Sequence, residues 1–357
     1  MLVFILLCIS FCTTRQDESV TSADEILLKE YRPQSIYKVP TTYIEKAKYP
    51  IIDIHSHPYE QSSEEIAQRV KNMDAVGIEK SIILTQTTGA TFDSIYAEYA
   101  KYPNRFDVWC GFDYTGYDEP GFGPAAVAEL ERCVNVGAKG VGELGDKGKG
   151  MFYSSPTKAF GMHMDDPRMD PLLEKCAELK LPISIHIADP IWMYEPMDET
   201  NDGLMNAFEW RLDNQKDIVA HAGMIDILEH AVKRHPNTIF IACHFANLSY
   251  DLTKLGTLFD KYPNLYADIS ARYAETAPIP RFVSTFYKKY QNRLLYGTDM
   301  GFETEMYRIT FRILESTDEH FYEIDQFGYH WSLYGLGLSN KILENVYRNN
   351  ALKLLKS

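Results

Sequence analysis

The chain has 357 residues, 45% of them hydrophobic, enough for one large domain with a full-sized core. A formal charge of −14 argues against nucleic-acid binding through a basic face. None of the six cysteines stands in a CxxC pair, so buried thiols are expected rather than a disulfide framework or a cysteine-zinc cluster.

In chain order, residues 1–12 are almost wholly apolar but too few to span a bilayer as a helix. They read as the core of a secretory signal peptide, although no Lys or Arg precedes them. Residues 13–30 read as a polar tether and residues 31–357 as a single domain. The expectation is export to a bacterial periplasm, or anchoring to a membrane as a lipoprotein. Cys12 is the candidate lipid-bearing residue, although Phe11 before it is bulkier than such cleavage sites prefer.

After a lead-in rich in Tyr and Pro at 31–50, apolar strands alternate with amphipathic helices. The strands are expected at 51–55, 81–86, 106–112, 140–144, 183–187, 239–244, 265–269 and 294–298. The helices are expected at 63–76, 91–101, 124–136, 169–180, 225–235, 252–261 and 281–290, with a closing helix at 340–355. Eight strands in this alternation indicate an α/β fold of the (β/α)8 TIM-barrel type. An open, doubly wound sheet would carry GxGxxG after its first strand, and His55-Ser56-His57-Pro58 occupies that place. The glycine-rich run from Gly145 to Gly150 is no phosphate loop, because Met151 stands where such a loop needs Lys. Long irregular stretches are expected after strands four, five and eight, at 145–168, 188–214 and 300–339. The helix-to-strand connections are short, so the extra chain gathers on the C-terminal face, where barrel enzymes place their active sites.

The strand ends carry the chemistry. Strand one ends in His55 and His57, which alternation places on one face. Glu143 stands near the end of strand four, His186 on strand five, His244 at the end of strand six and Asp299 at the end of strand eight. A closed barrel sets strand eight beside strand one, so Asp299 should approach His55 and His57, with His186 across the mouth. Three imidazoles and a carboxylate suit a divalent transition metal, zinc being the ion expected.

Several pieces together resemble the amidohydrolase superfamily. They are Asp53-Ile54-His55-Ser56-His57, His186, Arg234-His235-Pro236 leading to Cys243-His244, Ala267-Asp268-Ile269-Ser270, and Leu295-Tyr296-Gly297-Thr298-Asp299. The nearest branch is the amidohydrolase-related group that includes aminocarboxymuconate-semialdehyde decarboxylase and pyrone-dicarboxylate lactonase. The resemblance implies that His55, His57, His186 and Asp299 hold the metal and that His244 is the catalytic histidine beside it. The expected reaction is hydrolysis of an ester, lactone or amide of a small, carboxylated molecule. Asp299 would take a proton from an activated water and His244 would steady the developing oxyanion. A non-oxidative decarboxylase using the same site is the alternative, and an inactive exported binding protein is a further one.

Binuclear relatives that use a carbamylated lysine need it at the top of strand four, where this chain has Glu143 and keeps Lys139 at the bottom. One metal ion is therefore expected, with Glu143 either bridging to a second or standing behind the first. Arg272, just past strand seven, is a candidate clamp for a substrate carboxylate, and Trp192 and Tyr194 are candidates to line a pocket for a ring. The partner expected is a small-molecule substrate; the sequence leaves the oligomeric state open.

Overall fold

The computed structural model describes residues 22–60 and 62–355. The expected signal segment, Cys12 and the first part of the tether lie outside the described residues.

Eight parallel strands run in chain order: β1 Ile51–Ser56, β2 Ile78–Leu84, β3 Phe106–Trp109, β4 Val141–Asp146, β5 Ile183–Ile187, β6 Phe240–Ala242, β7 Leu265–Asp268 and β8 Leu294–Leu295. Pairing joins β1, β2 and β3 in one group and β4 through β8 in another. Backbone hydrogen bonds close both gaps. Cys110 N–H donates to Gly140 at 3.1 Å and Gly142 N–H to Cys110 at 2.8 Å, joining β3 to β4. On the other side Ile54 N–H donates to Tyr296 at 3.0 Å and Asp299 N–H to His55 at 2.9 Å. The ring is a (β/α)8 barrel, with strand eight against strand one. Gly297 permits that approach, because a Cβ there would lie 2.7 Å from the His55 Cβ.

Local signals place the helices. In α1, Ser63–Val76, the Ser62 hydroxyl accepts from Glu65 N–H, and Gly77 ends the helix in the left-handed region. In α2 (Gly89–Tyr99) and α3 (Pro124–Val136) the buried side chains face the strands, and Pro124 takes the first position of α3, where its missing N–H costs nothing. The ring continues with α4 Asp170–Glu178, α5 His221–Arg234, α6 Leu252–Lys261 and α7 Pro280–Tyr290.

The eighth helix, α8, is Thr304–Glu315. It corrects the reading of 300–339 as irregular throughout. Its Met306, Tyr307, Thr310, Phe311, Ile313 and Leu314 are buried at helical spacing. The expected closing helix is a continuous helical stretch, Asn340–Glu344 and Asn350–Leu355, joined through one wider turn at Asn345–Asn349. Its Ala351 and Leu354 pack on the lower barrel interior, with Ile52, Ile82, Trp109, Ile241 and Leu295. No helix of the described residues is long and apolar enough to cross a membrane.

Five strands stop sooner than expected: β2 at Leu84, β3 at Trp109, β6 at Ala242, β7 at Asp268 and β8 at Leu295. Side chains take over from the ladder at two of these ends. Thr298 N–H donates to Asp53 Oδ1 at 3.1 Å, and His244 N–H to Asp268 Oδ1 at 2.9 Å. Gln86, Ala188, His244, Ala271 and Asp299, each just beyond a strand, all have φ between 52° and 60°. Left-handed backbone costs a non-glycine residue on the order of 1–2 kcal/mol, and such cost concentrates at functional sites.

The described part of the lead-in lies against the segment after α8. Thr42 Oγ1 donates to Asp318 at 2.7 Å, and Tyr31 stacks on His330 with centroids 5.7 Å apart.

Candidate metal centre and the cavity above it

Simple alternation does not fully place the first two histidines. Asp53 points outward to Tyr307 of α8, and Ser56 reaches Arg69 of α1. Ile52 and Ile54 belong to the barrel interior. The register with β2 breaks between Asp53 and Ser56. Beyond that break both His55 and His57 face the mouth, a placement that β-bulges commonly serve beside active sites.

The predicted residues converge. His57 Nε2 lies 3.1 Å from Asp299 Oδ1 and 3.4 Å from Glu143 Oε2. His55 Nε2 lies 3.4 Å from Glu143 Oε1 and 3.8 Å from Asp299 Oδ1. His186 Nδ1 lies 2.9 Å from Glu143 Oε1, and His244 Nε2 lies 3.1 Å from His186 Nδ1 and 3.6 Å from Asp299 Oδ2. Glu143 thus stands among the imidazoles, at their centre rather than behind them.

Each imidazole is oriented from its far side. His55 Nδ1–H donates to Asp268 at 2.9 Å, His57 Nδ1–H to the Leu84 carbonyl at 2.9 Å, His244 Nδ1–H to the Ser270 carbonyl at 2.9 Å, and His186 Nε2–H to Asp189 at 2.9 Å. Such partners fix the tautomer and present the other nitrogen's lone pair inward. Asp268 went unassigned in the sequence because its partner His55 lies across the ring, and Asp189 because it sits in the loop past His186 with no pattern to mark it. The one available signal was a carboxylate near the strand end.

Among themselves, the carboxylates and imidazoles of the cluster hold one another's charges. Burial alone would lower the His57 pKa, but the carboxylates of Asp299 and Glu143 outweigh it and raise it to about 9. Burial opposes ionisation of Asp268, yet His55, His244 and Ser270 hold its pKa at about 2. Burial would likewise raise Asp299, but His55 and His57 keep it well below the usual carboxylate range. His244 goes the other way: burial, then the Arg272 charge, lowers its pKa to about 4, so it stands neutral.

A divalent cation fits this donor set. His55 Nε2 is buried, points at two carboxylates and has no hydrogen-bond partner among the described residues. A buried polar atom without a partner costs on the order of 1–3 kcal/mol, and a metal ion would satisfy it. The groups His55, His57, Glu143 and His55, His244, Asp299 each bring their ligand atoms within 4.8 Å of one another.

Above the cluster lies a cavity of about 430 Å³, lined by Lys147, His186, Asp189, His244, Arg272 and Asp299, and by Met193, Trp210, Phe327 and Tyr329. Arg272 donates from Nε and Nη2 to Asn247 Oδ1 at 3.0 and 2.7 Å. Asn247 ends a run of four left-handed residues that begins at His244. The two ring candidates stand elsewhere. Trp192 is not among the lining residues and packs on Trp331 and Tyr329, and Tyr194 donates its hydroxyl to the Lys147 carbonyl at 3.1 Å. The aromatic lining comes from Trp210, Phe327 and Tyr329 instead.

Fold and site together define a metal-dependent enzyme built on a (β/α)8 barrel. The chain belongs to the amidohydrolase family, which it matches over residues 44–356. Among solved structures it is similar to 2,6-dihydroxybenzoate decarboxylase from Rhizobium, with a TM-score of 0.54 and 18% identity over 86% of this chain and 99% of that one. Dihydroxybenzoic acid decarboxylase from Polaromonas, with bound manganese and 2-nitroresorcinol, gives 0.54 and 17% over 86% and 97%. A manganese complex of 5-carboxyvanillate decarboxylase from Novosphingobium aromaticivorans gives 0.53 and 16% over 89% and 100%. These proteins share the fold along nearly their whole length. No curated protein matches the chain significantly.

Proposed function

We propose that this protein is a metal-dependent, non-oxidative decarboxylase of a small aromatic or unsaturated acid. This reverses the order in which the sequence placed hydrolysis and decarboxylation. The observation that carries the reading is the composition of the cavity. A buried guanidinium, Arg272, and three aromatic side chains, Trp210, Phe327 and Tyr329, border the same space as His244 and Asp299. That lining suits a flat ring bearing a carboxylate. The solved structures named above, decarboxylases of dihydroxybenzoates and of 5-carboxyvanillate, support the same choice.

His55, His57, Asp299 and His186 would hold the divalent ion, with Glu143 beside them. When bound, the ion would supply positive charge that draws electron density from the substrate. Arg272 orients the substrate carboxylate, and the aromatic rings hold the ring plane and exclude water. As the carbon–carbon bond breaks, its electron pair stays on the ring carbon and carbon dioxide leaves. A proton must then reach that carbon. His244 Nε2 and Asp299 Oδ2, 3.6 Å apart at the cavity floor and both unprotonated at rest, are the groups placed to take a proton from solvent and relay it there.

The test is to supply metal-loaded protein with 2,6-dihydroxybenzoate, 5-carboxyvanillate and related acids in deuterium oxide. Carbon dioxide release with one deuterium on the vacated carbon is expected. Turnover of lactones or esters without carbon dioxide would replace this reading with the hydrolytic one. One observation favours that second reading: Glu143 contacts both His55 and His57 at 3.4 Å, as a carboxylate bridging two ions would. Two metal equivalents per chain would strengthen it. Export through residues 1–12 belongs to the same proposal and rests on the sequence alone.

A further inference from the structure

The glycine-rich run from Gly145 to Gly150 lacks the lysine of a phosphate loop, yet it forms a tightly built loop. Asp146 Oδ1 accepts from Gly148 N–H at 2.9 Å and Gly150 N–H at 3.0 Å, and Asp146 Oδ2 accepts from His163 at 2.6 Å. The Asp146 carbonyl accepts from Ala188 N–H at 2.8 Å, and the Gly148 carbonyl from Val219 N–H at 3.0 Å. Gly148 has φ +113°, and a Cβ there would lie 2.6 Å from Ile218 Cγ1. Tyr194 donates to the Lys147 carbonyl at 3.1 Å. Every one of these bonds fixes the backbone around a single residue, Lys147, whose side chain lines the cavity.

At the cavity Lys147 Nζ donates to Asp189 Oδ2 at 2.8 Å and lies 5.3 Å from the centre of the Tyr153 ring. Asp189 is shared, because its other oxygen accepts from His186 Nε2–H at 2.9 Å. An ammonium carries three donors, and these two neighbours use at most two of them. Arg272 follows β7 and Lys147 follows β4, so the two cations come from well-separated sectors of the rim.

We infer that Lys147 is a second anion-recognition residue of this cavity, and that the substrate is an acid carrying two anionic groups, one met by Arg272 and one by Lys147. The inference rests on the reading that the cavity holds the substrate, but not on which reaction follows. Charge-assisted hydrogen bonds are roughly twice as strong as neutral ones, so a second anionic group would set specificity strongly.

The experiment is calorimetric titration of metal-loaded protein with isophthalate and with its monoamide, 3-carbamoylbenzoate. Isophthalate is expected to bind about tenfold tighter or more. Lys147→Gln should bring that ratio close to one, and Lys147→Arg should preserve most of it. Equal affinity of the two ligands for the parent protein would overturn the inference. So would absence of isophthalate binding, or a K147Q protein that weakens both ligands alike. Should K147Q fail to fold, the two ligands compared on the parent protein decide alone. Diacid preference through Lys147 in a protein that releases no carbon dioxide from the hydroxybenzoates and turns over lactones or esters would sink the lyase reading and leave this one standing; carbon dioxide release with no second-charge preference would do the reverse.

Discussion

His55 is the residue on which the site turns. Its Nδ1–H is tied to Asp268 at 2.9 Å, and its Nε2 is the buried nitrogen left for a cation. Asp268→Asn keeps an acceptor for the His244 amide but removes the charge behind His55. Metal affinity, read by competition with a chelator, should fall about 10–100-fold; unchanged affinity would mean that Asp268 plays no part in orienting the ligand. A second pair tests the loop after β4. The Asp146 hydrogen bond raises the His163 pKa above its usual value against the opposing effect of burial, with Asp165 and Asp166 adding to it and Arg168 paired to Asp166. A raised folded-state pKa contributes stability that is fully present below about pH 6.5 and is lost as pH rises through the folded value. His163→Ala should therefore cost more stability at about pH 5.5 than at about pH 9, measured by urea denaturation; equal cost at both would contradict the charge on this pair. His55, His57, Glu143, His186, His244 and Asp299 were legible because ligand-type residues at the ends of apolar strands stand out. Lys147, Asp268 and Asn247 were not, because each acts on a neighbour distant in sequence, and Asp189 was not, because it lies in an irregular loop although His186 is only three residues away. Trp192 and Tyr194 stand behind the cavity lining rather than in it; an aromatic in a loop does not say which way it points.

At the scale of elements, the eight strands and most of the helices follow from apolar runs and caps. What the runs do not show is where the ladder ends. The chain turns left-handed after β6 through His244, Phe245, Ala246 and Asn247, none of them glycine. Tertiary bonds hold this turn: Asn247 Nδ2 donates to the Ile187 and Ala188 carbonyls at 2.9 and 3.1 Å. Such a turn overrides local preference, so no sequence rule would have found it. Helix α8 is different, since its buried side chains do recur at helical spacing, but the surrounding density of Tyr and Phe masked the period. The contact between β8 and β1 gives the sharpest element-scale prediction. Gly297→Ala would drive a methyl to 2.7 Å from His55 Cβ, which is not the end of a flexible chain. It should destabilise the protein by about 1–3 kcal/mol and weaken metal uptake in the same sample. A variant as stable as the parent, with full metal content, would show that the strands have room to spare there.

For the molecule as a whole, closure of the ring gives the site its composition. Asp299 meets His55 and His57 across 242 and more residues of sequence only because β8 hydrogen-bonds to β1. The ring also puts the β4 and β5 loops against each other, so that Asp189 serves His186 and Lys147 at once. Family membership and barrel fold are consistent with many reactions, because function resides in the residues of the mouth rather than in the barrel. The measurement closest to the central claim is anomalous diffraction at the manganese edge from crystals of the manganese-loaded protein. A peak enclosed by His55, His57, His186 and Asp299, with Glu143 alongside, is expected. A manganese-loaded crystal with no peak among those residues, or with its strongest peak elsewhere, would contradict that claim.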